Sequence, residues 1–409
     1  MSIKTLSFGC RLNALESEKI QSMLKNVLET AIVVNTCAVT GEAERQSGQS
    51  VRRIARENKN TPIFVTGCAA TRNPEMFCDI PNVIVVDNFQ KRNLNAYIDA
   101  MTRTPCNIVG GPTIDNFRDT DEKLSKKFVQ IQNGCNHDCT YCVTRLLRGR
   151  AVSFEYDEIL ADVRAAVDAG FGEIVLTGVD IASYARVYDG RAFLISDLCK
   201  KLLADVPGIQ RLRLSSMDPA VPEVGKIIDL IKSDTRMMPH MHFSMQSGSD
   251  TILKSMRRRH TADTVRKWVQ MAGDKITFSW DIICGFPGES EELFNETLAL
   301  VRELKPIKIH AFPFSPRPDT VAATMPNQVN RANSKQRVKI INEVANENRA
   351  NFMQSQARQI VQVLVEENNI ARCPHDISVK IVGTPIPPRT ICNTVITEIQ
   401  GDAFVGKIQ

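Results

Sequence analysis

Along the chain, short runs of apolar and β-branched residues alternate with longer stretches whose apolar positions recur every three or four residues. IKTLSFGC (3–10), AIVVNTC (31–37), TPIFVTGC (61–68) and NVIVVDN (82–88) have the strand character. LESEKIQSMLKN (15–26) and EAERQSGQSVRRIARENK (42–59), lying between them, read as helices, the second polar on most faces. Strands separated by helices predict a small parallel α/β sheet. Residues 103–121, RTPCNIVGGPTIDNFRDTD, carry Pro, Gly and Asp without periodicity and read as a linker.

A longer series follows. KFVQIQNG, EIVLTG, IQRLRLSS, HMHFSMQS, KITFSWDIICG and IKIHAFPFS are strand candidates, with helical stretches near 156–169, 192–205, 220–232, 250–272 and 289–304. Six βα units in a row predict a barrel-like parallel sheet, two units short of the complete eight-fold barrel. SPRPDT (315–320) ends it, and 331–354 reads as a polar connecting helix. The pattern then changes: QIVQVLVEENN, DISVKIVGT, TICNTVITEIQ and DAFVGKI are short strands with no helix between them, which predicts a small antiparallel barrel. The expected fold is therefore α/β in three parts, over 1–105, 121–350 and 355–409.

Composition is consistent with this division. A chain of 409 residues is too long for one ordinary core, and 43% hydrophobic with 24% charged residues is the balance of a soluble globular protein. The sequence has no uncharged apolar run of about 18 residues, so no membrane span is expected. Its opening, MSIKTLSFGCRLN, lacks the apolar core and cleavage site of a secretory signal, and a cytoplasmic location is the expectation. That location changes how the 12 cysteines are read, because clustered cysteines in a reducing compartment bind metal or do redox chemistry more often than they form disulfides. A net charge of +5 permits an anionic partner such as RNA without requiring one.

Cys10, Cys37 and Cys68 each end a predicted strand, in SFGC, NTC and TGC. The C-terminal ends of strands in an open parallel sheet share one edge, where ligands bind. Three thiolates there would suit an iron–sulfur cluster or zinc. Cys78, Cys106, Cys199, Cys284, Cys373 and Cys392 show no such arrangement and read as structural. Cys135, Cys139 and Cys142 form C-x3-C-x2-C directly after the first strand of the second series. A tight loop with that spacing can wrap three sulfurs around one metal centre. A zinc site would need a fourth ligand, with His137 the nearest donor, or a catalytic water. An iron–sulfur cluster would need no fourth side chain if a substrate or cofactor completed the last iron.

At these residues the chain resembles the radical S-adenosylmethionine (SAM) enzymes, whose motif C-x3-C-x-aromatic-C has Tyr141 at its aromatic position here. Together with the N-terminal trio, the resemblance narrows to the methylthiotransferases. SFGCRLNALESE, NTCAVTGEAERQ, VTGCAA, RLRLSSMDP, MQSGSD, IICGFPGE and FPFSPRPDT look most like the branch acting on N6-threonylcarbamoyladenosine in tRNA. One departure is VTRLLRGR after Cys142, where the family commonly has Ile-Pro-Tyr-x-Arg-Gly; Arg148 and Gly149 are kept.

The resemblance implies a methylthiotransferase N-terminal domain, a radical SAM core and a C-terminal TRAM-like RNA-binding domain. It implies two 4Fe-4S clusters, one on Cys135, Cys139 and Cys142, the other on Cys10, Cys37 and Cys68. SAM would lie at Thr177, Gly178, Ser215, Gln246 and Gly285. It further implies a tRNA substrate, an electron donor such as flavodoxin or ferredoxin, and a sulfur donor. The product would be 2-methylthio-N6-threonylcarbamoyladenosine at tRNA position 37. Arg257, Arg258 and Arg259 in MRRRH form a basic run that could meet phosphate, as could Arg52, Arg53 and Arg56. The competing readings are isopentenyladenosine in tRNA or an aspartate of a ribosomal protein as substrate, radical SAM chemistry in which the N-terminal trio holds no cluster, and a non-catalytic, metal-stabilised RNA-binding protein.

Overall fold

The computed structural model describes residues 2–38, 40–103 and 125–409. The linker expected over 103–121 lies outside these residues apart from Arg103, and Cys106 lies outside them too. The chain divides into two compact units. The first is Met1–Glu122 with Gly134–His137 and Cys142–Arg150; the second is Lys123–Asn133, Asp138–Tyr141 and Ala151–Gln409.

In the first unit, β1 (Ser2–Ser7), α1 (Arg11–Lys25), β2 (Thr30–Thr36), α2 (Gly41–Glu57), β3 (Ile63–Gly67), α3 (Cys68–Arg72), α4 (Glu75–Cys78), β4 (Val83–Val85) and α5 (Leu94–Arg103) follow in order. The strands form one parallel sheet, β1-β2-β3-β4. Their apolar runs are nearly unbroken because both faces are covered. Ile32, Val34, Ile63 and Val65 pack with Val51, Ile54 and Ala55 of α2 on one side. On the other, Val33, Phe64 and Ile84 pack with Ile20 and Leu24 of α1 and Tyr97 of α5. The helical period of α2 buries Val51 and Ile54 and leaves Arg52, Arg53 and Arg56 exposed. Its start is fixed by Thr40, whose Oγ1 accepts the Ala43 N–H at 3.2 Å.

The second series opens with β5 (Lys126–Gln130) and β6 (Gln132–Asn133). After α6 (Thr144–Arg148), which belongs to the first unit, it continues through β7 (Val152–Ser153), α7 (Tyr156–Asp168), β8 (Glu173–Thr177), β9 (Ala185–Tyr188), β10 (Arg191–Leu194), α8 (Ile195–Asp205), β11 (Leu212–Leu214), β12 (Ser216–Met217) and α9 (Glu223–Ser233). It closes with β13 (His240–Gln246), α10 (Asp250–Ser255), α11 (Ala262–Ala272), β14 (Thr277–Cys284), α12 (Glu291–Leu304) and β15 (Lys308–Pro313).

Two parallel sheets, β11-β8-β5 and β12-β13-β14-β15, carry the six expected barrel strands. Only Ser215 separates β11 from β12, and a parallel bridge from Leu212 to Met237 links β11 to the residues leading into β13. The β9–β10 hairpin was not foreseen. Its signal was present: Asp189 and Gly190 both have positive φ, +51° and +72°, the turn an Asp-Gly pair favours. The stretch 250–272 is two helices rather than one. The break holds Arg257 at φ +57°, and Thr261 caps the second helix by accepting the Thr264 N–H at 3.2 Å.

The polar helix expected at 331–354, α13 (Arg331–Ser355), does more than connect. Ile341, Val344 and Ala345 enter the main core, and Arg337 Nη1 binds Glu289 Oε2 at 2.8 Å. Beyond it, β16 (Ile360–Val365), β17 (Ile370–Arg372), β18 (Ser378–Ile381), β19 (Ile391–Gln400) and β20 (Ala403–Ile408) close a barrel in the order β16-β17-β18-β20-β19. One correction applies, since β18 and β20 pair in parallel. The turn between β17 and β18 is fastened to the parallel strands. Asp376 Oδ1 lies 3.1 Å from Lys126 Nζ, Pro374 O accepts from Arg213 Nη2 at 2.9 Å, and His375 Nδ1 is 3.0 Å from Thr277 Oγ1. Burial pushes the Glu173 carboxyl at this seam upward, but Arg213 and Lys126 outweigh it and hold the pKa at about 2.

Candidate functional site

The strand ends of the first unit place the N-terminal cysteines on one edge. Ser7 pairs with Asn35 and Thr36 with Gly67, so Cys37 and Cys68 each follow a paired strand end. The Phe8 N–H reaches Asn35 O at 2.8 Å, extending β1 by one residue. Gly9, at φ +84°, then lies so close to Cys37 that a Cβ there would strike its sulfur. Cys10 is the N-cap of α1. Cys37 and Cys68 are buried and Cys10 is exposed.

A buried polar network stands behind these strand ends. Asn88 Nδ2 lies 3.5 Å from Cys68 Sγ and donates to Leu147 O at 3.0 Å. Lys91 Nζ donates to Asn88 Oδ1 at 2.7 Å and to Glu16 Oε2 at 2.6 Å. Arg148 Nη1 binds Glu16 Oε1 at 2.9 Å, while Nη2 reaches Asn13 Oδ1 at 2.6 Å. Asn13 in turn donates to Phe8 O at 2.9 Å and Thr36 O at 3.0 Å. The network thus grips the ends of two of the three strands.

Its charges do not cancel within the network. Two buried cations, Lys91 and Arg148, face one carboxylate. Burial works against the Arg148 charge, but Glu16 and the sulfurs of Cys68 and Cys10 outweigh it and hold the guanidinium above its ordinary value. Burial lowers the Lys91 pKa more than Glu16 restores it. A surplus positive charge beside Cys10 and Cys68 suits thiolates, the form in which cysteine binds metal. Sequence reading singled out Arg148 but gave it no partner. Asn13, Glu16, Asn88 and Lys91 were missed, and no spacing rule connects them.

The C-x3-C-x2-C stretch has a matching feature. Each of its three sulfurs lies within reach of an N–H: Cys135 Sγ is 3.4 Å from His137 N, Cys142 Sγ 3.4 Å from Thr144 N, and Cys139 Sγ 3.6 Å from Arg258 Nη1. Donors aimed at sulfur stabilise the deprotonated ligand and are part of how proteins set cluster potentials. The soft donor set and these N–H groups fit a thiolate-ligated cluster. After Cys142, α6 packs Val143 and Leu147 with Ala38, Cys68 and Ala69 in one small apolar cluster. The altered loop VTRLLRGR therefore seats on the N-terminal cysteine edge of its own unit.

The five residues named for SAM all stand at C-terminal strand ends. Thr177 ends β8 and Gly178 follows it; Ser215 lies between β11 and β12; Gln246 ends β13; Gly285 follows β14. Gln246 has φ +70°, a left-handed conformation uncommon for a side-chain-bearing residue. Both glycines have reasons inside the protein: a Cβ at Gly178 would lie 2.8 Å from Gln132 O, and one at Gly285 would overlap Ser334 of α13.

The run Arg257–Arg259 is not a uniform basic patch, which corrects the expectation for its middle member. The Arg258 side chain is 6% exposed, with Nη2 3.2 Å from Asp218 Oδ1, so burial removes it from any phosphate. Arg257 and Arg259 are half-exposed and pair with Asp138 and Asp218.

Comparison with known proteins agrees with this architecture. Residues 129–301 match the Radical SAM superfamily, and residues 2–87 match the family described as uncharacterized protein family UPF0004. The chain is 37% identical to the threonylcarbamoyladenosine tRNA methylthiotransferase MtaB of Rickettsia prowazekii over 392 residues, 92% of this chain and 90% of that one. It is 32% identical to the MtaB of Bacillus subtilis, over 88% of this chain and 84% of that one. A tRNA-2-methylthio-N(6)-dimethylallyladenosine synthase of Pelagibacter ubique is 32% identical, over 89% and 86% of the two chains. Among solved structures, the radical S-adenosylmethionine methyltransferase TsrM of Kitasatospora setae shares the fold, with a TM-score of 0.58 at 12% identity over 79% of this chain and 77% of that one. Identity along nearly the whole chain, with a matching radical SAM region, places it in one family: the chain belongs to the radical SAM tRNA methylthiotransferases, in the threonylcarbamoyladenosine branch.

Proposed function

We propose that the chain methylthiolates C2 of the adenine in N6-threonylcarbamoyladenosine at position 37 of tRNA. Cys135, Cys139 and Cys142 would hold one 4Fe-4S cluster, at which SAM would bind, and Cys10, Cys37 and Cys68 would hold a second. Bound there, the clusters and SAM supply what no side chain can: one-electron cleavage of SAM, removal of a ring hydrogen, and a sulfur to be methylated and delivered. The protein's own residues do the placing. Asn13 and Gly9 fix the strand ends that present Cys10 and Cys37, and Lys91 and Arg148 supply positive charge beside the thiolates. α6 carries the residues behind Cys142 onto Cys68. Thr177, Ser215 and Gln246 offer polar groups at the strand ends, where a nucleoside cofactor can be gripped.

The observation that supports this reading is that Cys10, Cys37 and Cys68 follow the C-terminal ends of three neighbouring parallel strands, in a chain that also holds C-x3-C-x2-C. The closed C-terminal barrel is the part read as gripping tRNA. An electron donor of the flavodoxin or ferredoxin kind and a separate sulfur donor complete the reaction, which belongs in the cytoplasm. Among the described residues no helix is long and apolar enough to cross a membrane.

The test is nucleoside mass analysis of tRNA from cells lacking the gene. Loss of the 2-methylthio form with N6-threonylcarbamoyladenosine remaining supports the reading. Loss of methylthio-isopentenyladenosine instead would move the chain to the other tRNA branch, to which the Pelagibacter synthase belongs.

A further inference from the structure

The break between α10 and α11 sits against residues 138–141 and holds each of them. Arg257 Nη1 meets Asp138 Oδ2 at 2.5 Å. The Thr140 N–H donates to Met256 O at 3.2 Å, and its Oγ1 donates to Ser255 O at 3.0 Å. Tyr141 packs with Ile252 and Met256. Cys139 alone is held through its sulfur, by Arg258.

The backbone is shaped to send Arg258 inward. The N–H groups of Arg257 and Arg258 close onto Lys254 O and Leu253 O at 3.0 and 2.8 Å, ending α10 in a tight turn. That turn needs Arg257 at φ +57°, a position where glycine or asparagine is the usual occupant. Three further contacts fix the Arg258 guanidinium. Nη2 donates to Ser244 O at 2.9 Å and to Ser244 Oγ at 3.3 Å, and lies 3.2 Å from Asp218 Oδ1. Asp218 is itself held, accepting the Ala220 N–H at 2.9 Å. With Nη2 committed to these partners, the planar fork leaves Nη1 aimed at Cys139 Sγ.

We propose that Arg258 is a positioning residue for the radical SAM cluster: it holds Cys139 by a charge-assisted N–H···S bond and thereby raises the cluster's reduction potential. The proposal rests on the reading of Cys135, Cys139 and Cys142 as cluster ligands. Reduction adds one electron, from a low-potential one-electron donor, to a centre whose negative charge spreads onto the ligand sulfurs. A buried cationic donor on one of those sulfurs favours the more negative state. Asp218 balances the charge of Arg258 overall, while the guanidinium N–H remains nearest the sulfur.

The experiment compares Arg258→Met and Arg258→Lys with the parent, all carrying Cys10→Ala, Cys37→Ala and Cys68→Ala so that one cluster reports. Each is reconstituted anaerobically with iron and sulfide, assayed for both, and titrated against dithionite with mediators while the reduced signal is followed by electron paramagnetic resonance. The expected result is a loaded Arg258→Met cluster with a lower potential. At fixed poise its reduced-to-oxidised ratio should fall at least about tenfold, or about 59 mV for a one-electron couple. A loaded cluster with unchanged potential overturns the proposal. If Arg258→Met does not load, Arg258→Lys decides: its ammonium keeps the charge but cannot make the fork, so a lowered potential supports the proposal and the parent value overturns it. Failure of the parent itself to bind iron is a different result, which removes the ligand assignment and the proposal with it.

Discussion

Arg148 forks onto Glu16, with Nη1 to Oε1 at 2.9 Å and Nη2 to Oε2 at 3.1 Å, although 132 positions separate them in the chain. Both side chains are buried, and Lys91 shares the same carboxylate. Breaking a buried ion pair from one side strands the partner's charge. Glu16→Gln would leave two cations facing each other, and should cost about 3–5 kcal/mol. Urea unfolding should show a lowered midpoint for the first unit, with hydrogen exchange in α1 accelerated. A loss under about 1 kcal/mol would mean that water reaches the network.

Gly9 is the second place where a small change should act on chemistry. Gly9→Ala adds a Cβ where the Cys37 sulfur sits, at a φ of +84° that alanine resists. If Cys10, Cys37 and Cys68 hold a second cluster, bound iron and sulfide per chain should drop by about half after reconstitution while secondary structure is kept. Undiminished iron would remove Cys37 from the ligand set.

Stability should depend on pH through His375. Burial lowers its pKa from 6.5 to about 4, opposed only in part by its bond to Pro239 O, with Arg213 adding to the fall. Between those values the unfolded chain takes up a proton that the folded chain refuses. The His375 contribution is therefore complete above about pH 6.5 and declines as pH falls toward 4, by at most about 1.4 kcal/mol per pH unit, and His240 and His310, which burial also lowers from 6.5, add to the same slope. Glu173, with a pKa of about 2, titrates below that window. His375→Gln should flatten the slope between pH 6.5 and 4 in denaturant titrations; a slope identical to the parent's would exclude His375 as its source.

The exposed arginines of α2 offer a test of tRNA binding by the first unit. Arg52, Arg53 and Arg56 lie on the solvent face of that helix. If they meet phosphate, replacing all three with glutamine should weaken tRNA binding. It should also reduce the dependence of log affinity on log salt by about one for each phosphate no longer neutralised. An unchanged salt slope would assign them to solvation alone.

The sequence by itself determined the alternation of strands and helices, the six parallel units, a small terminal barrel and the place of Cys10, Cys37 and Cys68 after three strands. Each of these follows from local periodicity: apolar runs of five to eight residues, helical repeats between them, and cysteines directly after the runs. Asp189-Gly190 was legible by the same rule, since its turn preference is local. What only the tertiary structure decided is which distant side chains meet. MRRRH reads as one basic patch along the chain, yet a left-handed residue at 257 sends Arg258 into the interior beside Cys139 and leaves its neighbours outside. Glu16 of α1, Lys91 between β4 and α5, and Arg148 of α6 meet only through tertiary packing of segments remote in sequence. Charge pairing in a buried site depends on distance in space, and no local pattern encodes it.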